Sequence, residues 1–199
     1  MQENLKQNIT PKKEKSSFTK GFIEQLELIV IFFAVIIVIF SFMCKSCVVV
    51  GDSMLNTLQD NDRVLIWNLF YTPKRGDIVV IHDPEKFGTP IVKRVIGLPG
   101  DTVYVEHKSD HMKVIVTNKD GTKIDLFEDE QYVFYDSGSK GVPVGLDGKW
   151  TVADGEVFVM GDNRLNSQDS RMEGCFDSRM ILGKVIFRMT PLNKMGIVK

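Results

Sequence analysis

An uncharged apolar run from Leu28 to Cys44 constrains this chain more than any other feature, because only lipid or a large core can receive it. The run is short for a spanning helix, but Phe22, Ile23 and Leu26 extend it past Glu24 and Glu27, which then sit at an interface. Ile29 to Phe40 is apolar on every helical face, unlike a half-buried helix of a soluble domain. A removed secretory signal would need small residues before its cut, and Ser41-Phe42-Met43 does not offer them. Phe42 and Met43 also argue against lipid attachment at Cys44. Residues 22–44 are therefore expected to stay as a transmembrane anchor.

Lys6, Lys12, Lys13, Lys15 and Lys20 precede the anchor, whereas Lys45 alone closely follows it. That asymmetry predicts a single-pass cell-membrane protein whose tail, residues 1–21, is cytoplasmic and mostly disordered, with residues 45–199 facing outward. The chain has 199 residues and a net charge of −1. After the anchor this leaves one domain of roughly 150 residues, long enough to bury a core. Nothing in the charge balance points to nucleic acid. Three cysteines cannot all pair. Cys44 and Cys47 are spaced like a redox motif but lie at the helix exit, off any thioredoxin-like strand-to-helix turn, and Cys175 reads as a small core or surface residue.

From Val48 onward, short apolar and alternating runs are broken by Gly, Pro and Asp. Strands are predicted at Val64–Trp67, Ile78–Ile81, Ile91–Ile96, Thr102–Val105, Lys113–Val116, Val157–Met160 and Val185–Phe187. Turn residues at 73–77, 98–101, 118–121 and 153–156 separate them. The expected fold is mainly β, an antiparallel core with a β-rich insertion at about 101–153 that includes Glu128-Asp129-Glu130 and Asp136 to Gly141.

Ser53 follows the apolar run so closely that, at about 3.5 Å per residue, it lies within roughly 30 Å of the lipid boundary. A serine hydroxyl needs a base to act as a nucleophile at neutral pH. His82, with Asp83 beside it, is one candidate, although no glycine-flanked elbow surrounds Ser53. Lys93 is the other. In an apolar strand its ammonium would lose hydration, and a fall from about 10.4 to about 8 needs roughly 3 kcal/mol against the charged form. By pattern alone, Lys93 reads first as an ordinary exposed strand residue that points away from its apolar neighbours. The loop Gly161 to Arg171 reads as a solvated turn or as a polar scaffold in which Asp169 pairs with Arg171 or Arg94.

The succession of anchor, Ser53-Met54-Leu55-Asn56-Thr57-Leu58, Arg75 to Val80, Lys93 to Asp101 and Gly161 to Arg171 resembles the bacterial type I signal peptidases over most of Val48 to Leu192. The single anchor and short insertion are similar to the Gram-positive form. The resemblance implies a membrane serine endopeptidase that removes signal peptides from exported preproteins after Ala-X-Ala-type sequences, close to lipid and the secretion translocon, without metal or other cofactor. It makes Ser53 the nucleophile and Lys93 the general base, and has Ser167 hydrogen-bond the lysine amine. Asp169 and Arg171 then hold the site together with Arg94 as their partner.

Two positions depart from the family. Asn56 stands where proline is usual, and Gly51 stands where some members place a hydroxyl in the oxyanion hole, leaving the Ser53 amide to carry more of that charge. Val50 and Ile91 are the expected walls of the substrate pockets. His107 and His111 could ligate zinc on one helix face, but their setting reads as a hairpin tip. The rival readings are a self-cleaving repressor with the same dyad, which would carry a DNA-binding segment in place of the anchor, and an anchored binding domain without activity.

Overall fold

The computed structural model of the chain describes residues 14–83, 85–107, 112–126, 133 and 147–198. Residues 1–13, His111, the acidic stretch 128–130 and the Ser/Gly stretch 136–141 lie outside them. Two compact units, Met1–Phe42 and Met43–Lys199, divide the chain.

The first unit is dominated by one helix, α1, Glu14–Met43. Its part from Lys20 to Val38 is long and apolar enough to cross a membrane. Leu28, Ile31, Phe32 and Ile37 each stand more than half exposed among the described residues. The helix starts ahead of Phe22, which corrects part of the disordered tail: once nucleated, a helix extends at little cost through a stretch that holds no Pro or Gly between Glu14 and Lys20. Cys44, expected to end the apolar helix, begins a strand instead, because its backbone pairs in register with Trp67.

In the second unit, strands β1 Cys44–Val48, β2 Arg63–Trp67, β3 Ile78–Ile81, β4 Ile91–Gly97, β5 Thr102–His107, β6 Met112–Thr117, β7 Lys123–Asp125, β8 Gly148–Thr151, β9 Glu156–Met160, β10 Phe176–Asp177, β11 Ile181–Thr190 and β12 Gly196–Ile197 follow in order. One sheet runs β1-β2-β11-β3-β4-β9-β10 with β12 beside β11, and a second runs β7-β6-β5-β8. Their pairings are antiparallel. All seven expected strand segments lie in strands. β6 shows the period of two plainly, with Met112, Val114 and Val116 buried between half-exposed neighbours.

β3 is buried on both faces. Ile78 and Val80 join one core with Met54, Leu58, Val64 and Val185, while Val79 and Ile81 join another with Val95, Val159 and Phe176. A third core binds the second sheet to the first, through Val103, Val105 and Val114 against Ile96, Phe158 and Met160. Fully burying each such side chain is worth about 1.5–3 kcal/mol, so β3 and β9, with four buried apolar side chains each, are strongly held strands on either side of β4.

Candidate active site

Ser53 sits on a tight turn after β1. The Leu55 amide donates to Asp52 O at 3.1 Å and the Leu58 amide to Met54 O at 2.8 Å. Met54 and Leu58 are buried in the core, so the turn is pinned from below while Ser53 stays partly open. Gly51 opens the turn at a φ of 83°, a backbone conformation that side chains other than glycine's adopt at a cost.

The next feature comes from β4. In register, Lys93 lies opposite Val79 and Arg94 opposite Ile78, so strand alternation sends these two adjacent cations to opposite faces. Lys93 Nζ lies 2.7 Å from Ser53 Oγ. Residues 40 apart in the chain thus meet at hydrogen-bond distance. Burial is the leading influence on the amine and lowers its pKa from 10.5 to about 8; Asp169 and Asp162 pull it up, and Arg171 pushes it down.

Arg94 turns the other way and forms a two-pronged ion pair with Asp162, Nε to Oδ1 at 2.8 Å and a terminal nitrogen to Oδ2 at 2.7 Å. Its other arm donates to Gly76 O at 2.8 Å, and Thr57 Oγ1 donates to the same carboxylate. This corrects the expectation that Arg94 is the partner of Asp169 and Arg171. The pleat carries Arg94 away from Lys93, where Asp162 meets it.

Asp169 and Arg171 pair with each other, through Nε to Oδ1 and a terminal nitrogen to Oδ2, both at 2.8 Å. Burial pushes the Asp169 carboxyl up, but the adjacent Arg171 guanidinium and the Gly161 amide outweigh it and hold the carboxyl below its ordinary range. Arg171 also donates to Arg164 O at 2.7 Å and Ser167 O at 3.3 Å, closing the loop on itself. Buried Ser167 Oγ makes no hydrogen bond among the described residues, so the expected bond to the lysine amine is absent; that amine is engaged with Ser53 instead.

Sequence reasoning left out four contributors. Asp162 and Thr57 complete the Arg94 cluster. Asn163 grips the serine turn: its backbone amide donates to Ser53 O at 3.0 Å and its Nδ2 to Asp52 O at 3.2 Å. Gly161 leaves no room for a side chain, since a Cβ there would lie 2.2 Å from Ser167 Oγ and 2.4 Å from Ser53 O. The clue to all four was their place in polar stretches beside predicted strands, but partnership across 68 or 111 residues depends on register.

A cleft of about 350 Å³ opens beside Ser53 and Lys93, lined by Val48, Val49 and Val50 on one side and by Pro90, Ile91 and Val92 on the other. Val50 and Ile91 are therefore both wall residues. Cys47 also lines the cleft, but burial pushes its thiol pKa up, away from the reactive thiolate. All three cysteines are free. His82 is not among the cleft's lining residues. His107 ends β5, and His111, the other half of the zinc pair that the sequence raises and sets aside, lies outside the described residues.

Residues 22–190 match the family described as signal peptidase, peptidase S26. The chain is 32% identical to probable signal peptidase I-1 of Synechocystis sp., over 87% of this chain and 85% of that one. It is 36% identical to signal peptidase I S of Bacillus subtilis, over 92% and 97%, and 37% identical to signal peptidase I P of the natto subspecies, over 94% and 96%. A crystal structure of a signal peptidase I from Enterococcus faecalis V583 aligns with 58% of this chain and 97% of its own at 28% identity, with a TM-score of 0.39, too low to add to the fold description. Matched along most of its length by the family and by relatives above 30% identity, the chain belongs to the signal peptidases of family S26, in the type I group.

Proposed function

We propose that this chain removes amino-terminal signal peptides from exported preproteins by a Ser53/Lys93 dyad, cutting after small residues of the Ala-X-Ala type. The observation that carries the reading is the 2.7 Å approach of a buried, pKa-lowered amine to a serine hydroxyl on the rim of an apolar cleft. Neutral Lys93 takes the Ser53 proton as Oγ bonds to the scissile carbonyl carbon, and the π electrons move to oxygen. The Ser53 amide holds that oxyanion. Collapse breaks the C–N bond, and the Lys93 ammonium returns the proton to the departing amine. Water then attacks the ester with Lys93 as base, freeing the signal peptide's carboxylate and restoring Ser53.

The cleft favours an extended substrate with small side chains. β1 is an edge of its sheet, and the pairing of β9 on β4 begins at Arg94, so backbone near 48–50 and 90–92 is open to strand addition. Ser167, buried beside Gly161 and near enough to Asp169 to help hold that carboxyl's pKa down, orients the amine once the serine proton has moved. The α1 segment is the single-pass anchor in this reading, with the lysine-rich tail in the cytoplasm and the catalytic unit outside, against lipid and near the translocon.

The test is to incubate detergent-solubilised full-length protein with an Ala-X-Ala preprotein. Wild type is expected to release the mature chain, and Ser53→Ala and Lys93→Met to lose at least about 1,000-fold of the rate. Wild-type cleavage by Lys93→Met near pH 8 would remove the dyad from the account.

A further inference from the structure

The geometry points to Asn163 as a positioning residue that sets both the aim of the Ser53 hydroxyl and the direction of the oxyanion-binding amide; this rests on the dyad reading above. A trans peptide is planar, and its C=O and N–H point in opposite directions. Asp52 O and the Ser53 N–H belong to one such plane, so the bond from Asn163 Nδ2 to Asp52 O, added to that from the Leu55 amide, fixes where the Ser53 N–H points. Ser53 O belongs to the following plane, and the Asn163 backbone amide holds that one at 3.0 Å. Asn163 therefore bonds to the planes on both sides of the Ser53 α-carbon. With both fixed, the φ and ψ of Ser53 are set, and with them the direction of the Cα–Cβ bond that carries Oγ towards Lys93.

The side chain is suited to that duty. Asn163 is fully buried and its Nδ2 is the donor end, because the opposite flip would set two acceptor oxygens against each other. Its Oδ1 has no hydrogen-bond partner among the described residues, so it is the donor that ties this side chain to its surroundings. Asn163 follows Asp162, which Arg94 and Thr57 hold rigidly, so the grip on the turn comes from a fixed base. Gly51 gives this oxyanion hole no side-chain hydroxyl. The direction of one backbone N–H then matters more, and so does the residue that sets it.

The experiment compares Asn163→Ala with wild type in the full-length chain, well below its unfolding temperature, with Ser53→Ala in parallel. Asn163→Ser, polar but too short to reach Asp52 O, is the second variant if Asn163→Ala does not fold. Three readings are taken: kcat and KM on a preprotein, their pH profile, and inhibition by an Ala-X-Ala peptide aldehyde beside the matching peptide acid. Ser53 adds to the aldehyde to give a tetrahedral oxyanion, its proton passing to Lys93, whereas the acid only fills the cleft. Expected are a kcat loss of roughly 10- to 100-fold, short of outright loss of a donor, and an equal weakening of the aldehyde. KM, the affinity for the acid and the acid limb of the pH profile stay in place. Wild-type kcat and aldehyde affinity would overturn the inference. So would equal weakening of aldehyde and acid, which marks a misshapen cleft, or a moved acid limb, which marks an effect through Lys93. Ser53→Ala separates the two levels: activity there overturns the dyad reading itself, whereas an inactive Ser53→Ala beside an unimpaired Asn163 variant overturns this inference alone.

Discussion

Lys93 and Arg94 are neighbours on one strand, each 3% exposed, yet one lies in a pocket that denies it a carboxylate and the other in a cluster that supplies one. Arg94 meets both oxygens of Asp162, a carbonyl and a threonine hydroxyl. Lys93 meets a serine hydroxyl. A cation that cannot deprotonate is fully compensated, and one that can is left short of partners, so burial acts on its proton. The contrast also explains why nearby acids do not restore the lysine's ordinary pKa. Asp162 and Asp169 both act to raise it, but each is already bound to its own arginine.

The largest test of that contrast is to break the compensated side. Arg94→Met leaves Asp162 buried and unpaired and is expected to cost about 3–5 kcal/mol, read from unfolding of the full-length chain in detergent. Arg171→Gln does the same to Asp169 and has a second effect. With the cation that lowers the Lys93 pKa gone, the acid limb of the rate profile should move to higher pH. A limb that moves down would contradict the assignment of charges.

Lys93→Met, one residue away from Arg94, should stabilise. The folded pKa is about 8 against 10.5 for the free side chain, so the unfolded chain binds more protons between those values. The buried ammonium costs on the order of 3 kcal/mol below pH 8, and the cost fades as pH rises towards 10.5. The advantage of Lys93→Met should therefore be largest at pH 7 and about 1 kcal/mol smaller at pH 9. A constant difference would mean an unshifted amine.

Gly161→Ala should cost about 1–3 kcal/mol and a large part of the activity, since the new methyl would push Ser167 and the Ser53 carbonyl apart. A stability cost of similar size, without a direct effect on the chemistry, is expected at Asn56, one of the two departures from the family pattern. Asn56 has a φ of 81°, which a proline ring cannot adopt, so Asn56→Pro should destabilise by about 1–3 kcal/mol where family analogy would predict a gain.

Much of this was legible in advance for a physical reason. Strands such as Lys113 to Val116 write their two faces into alternate residues, whereas Ser53, Lys93, Asp169 and Arg171 stand out together through the resemblance of their boxes to a known family. β1 was not legible, because Cys-Lys-Ser-Cys has little contrast and becomes a strand by pairing with Arg63–Trp67. Nor was the partner of Arg94. Two aspartates lie in the same loop, and only the pleat of β4 decides which one an arginine beside Lys93 can reach.

The most direct measurement is the titration of the Lys93 amine by NMR in isotope-labelled full-length protein, with Lys93→Met identifying the signal. A midpoint near 8 is the result expected from burial without a dedicated carboxylate. A midpoint above 10 would show an ordinary hydrated lysine, and the proton acceptor for Ser53 would have to be sought elsewhere.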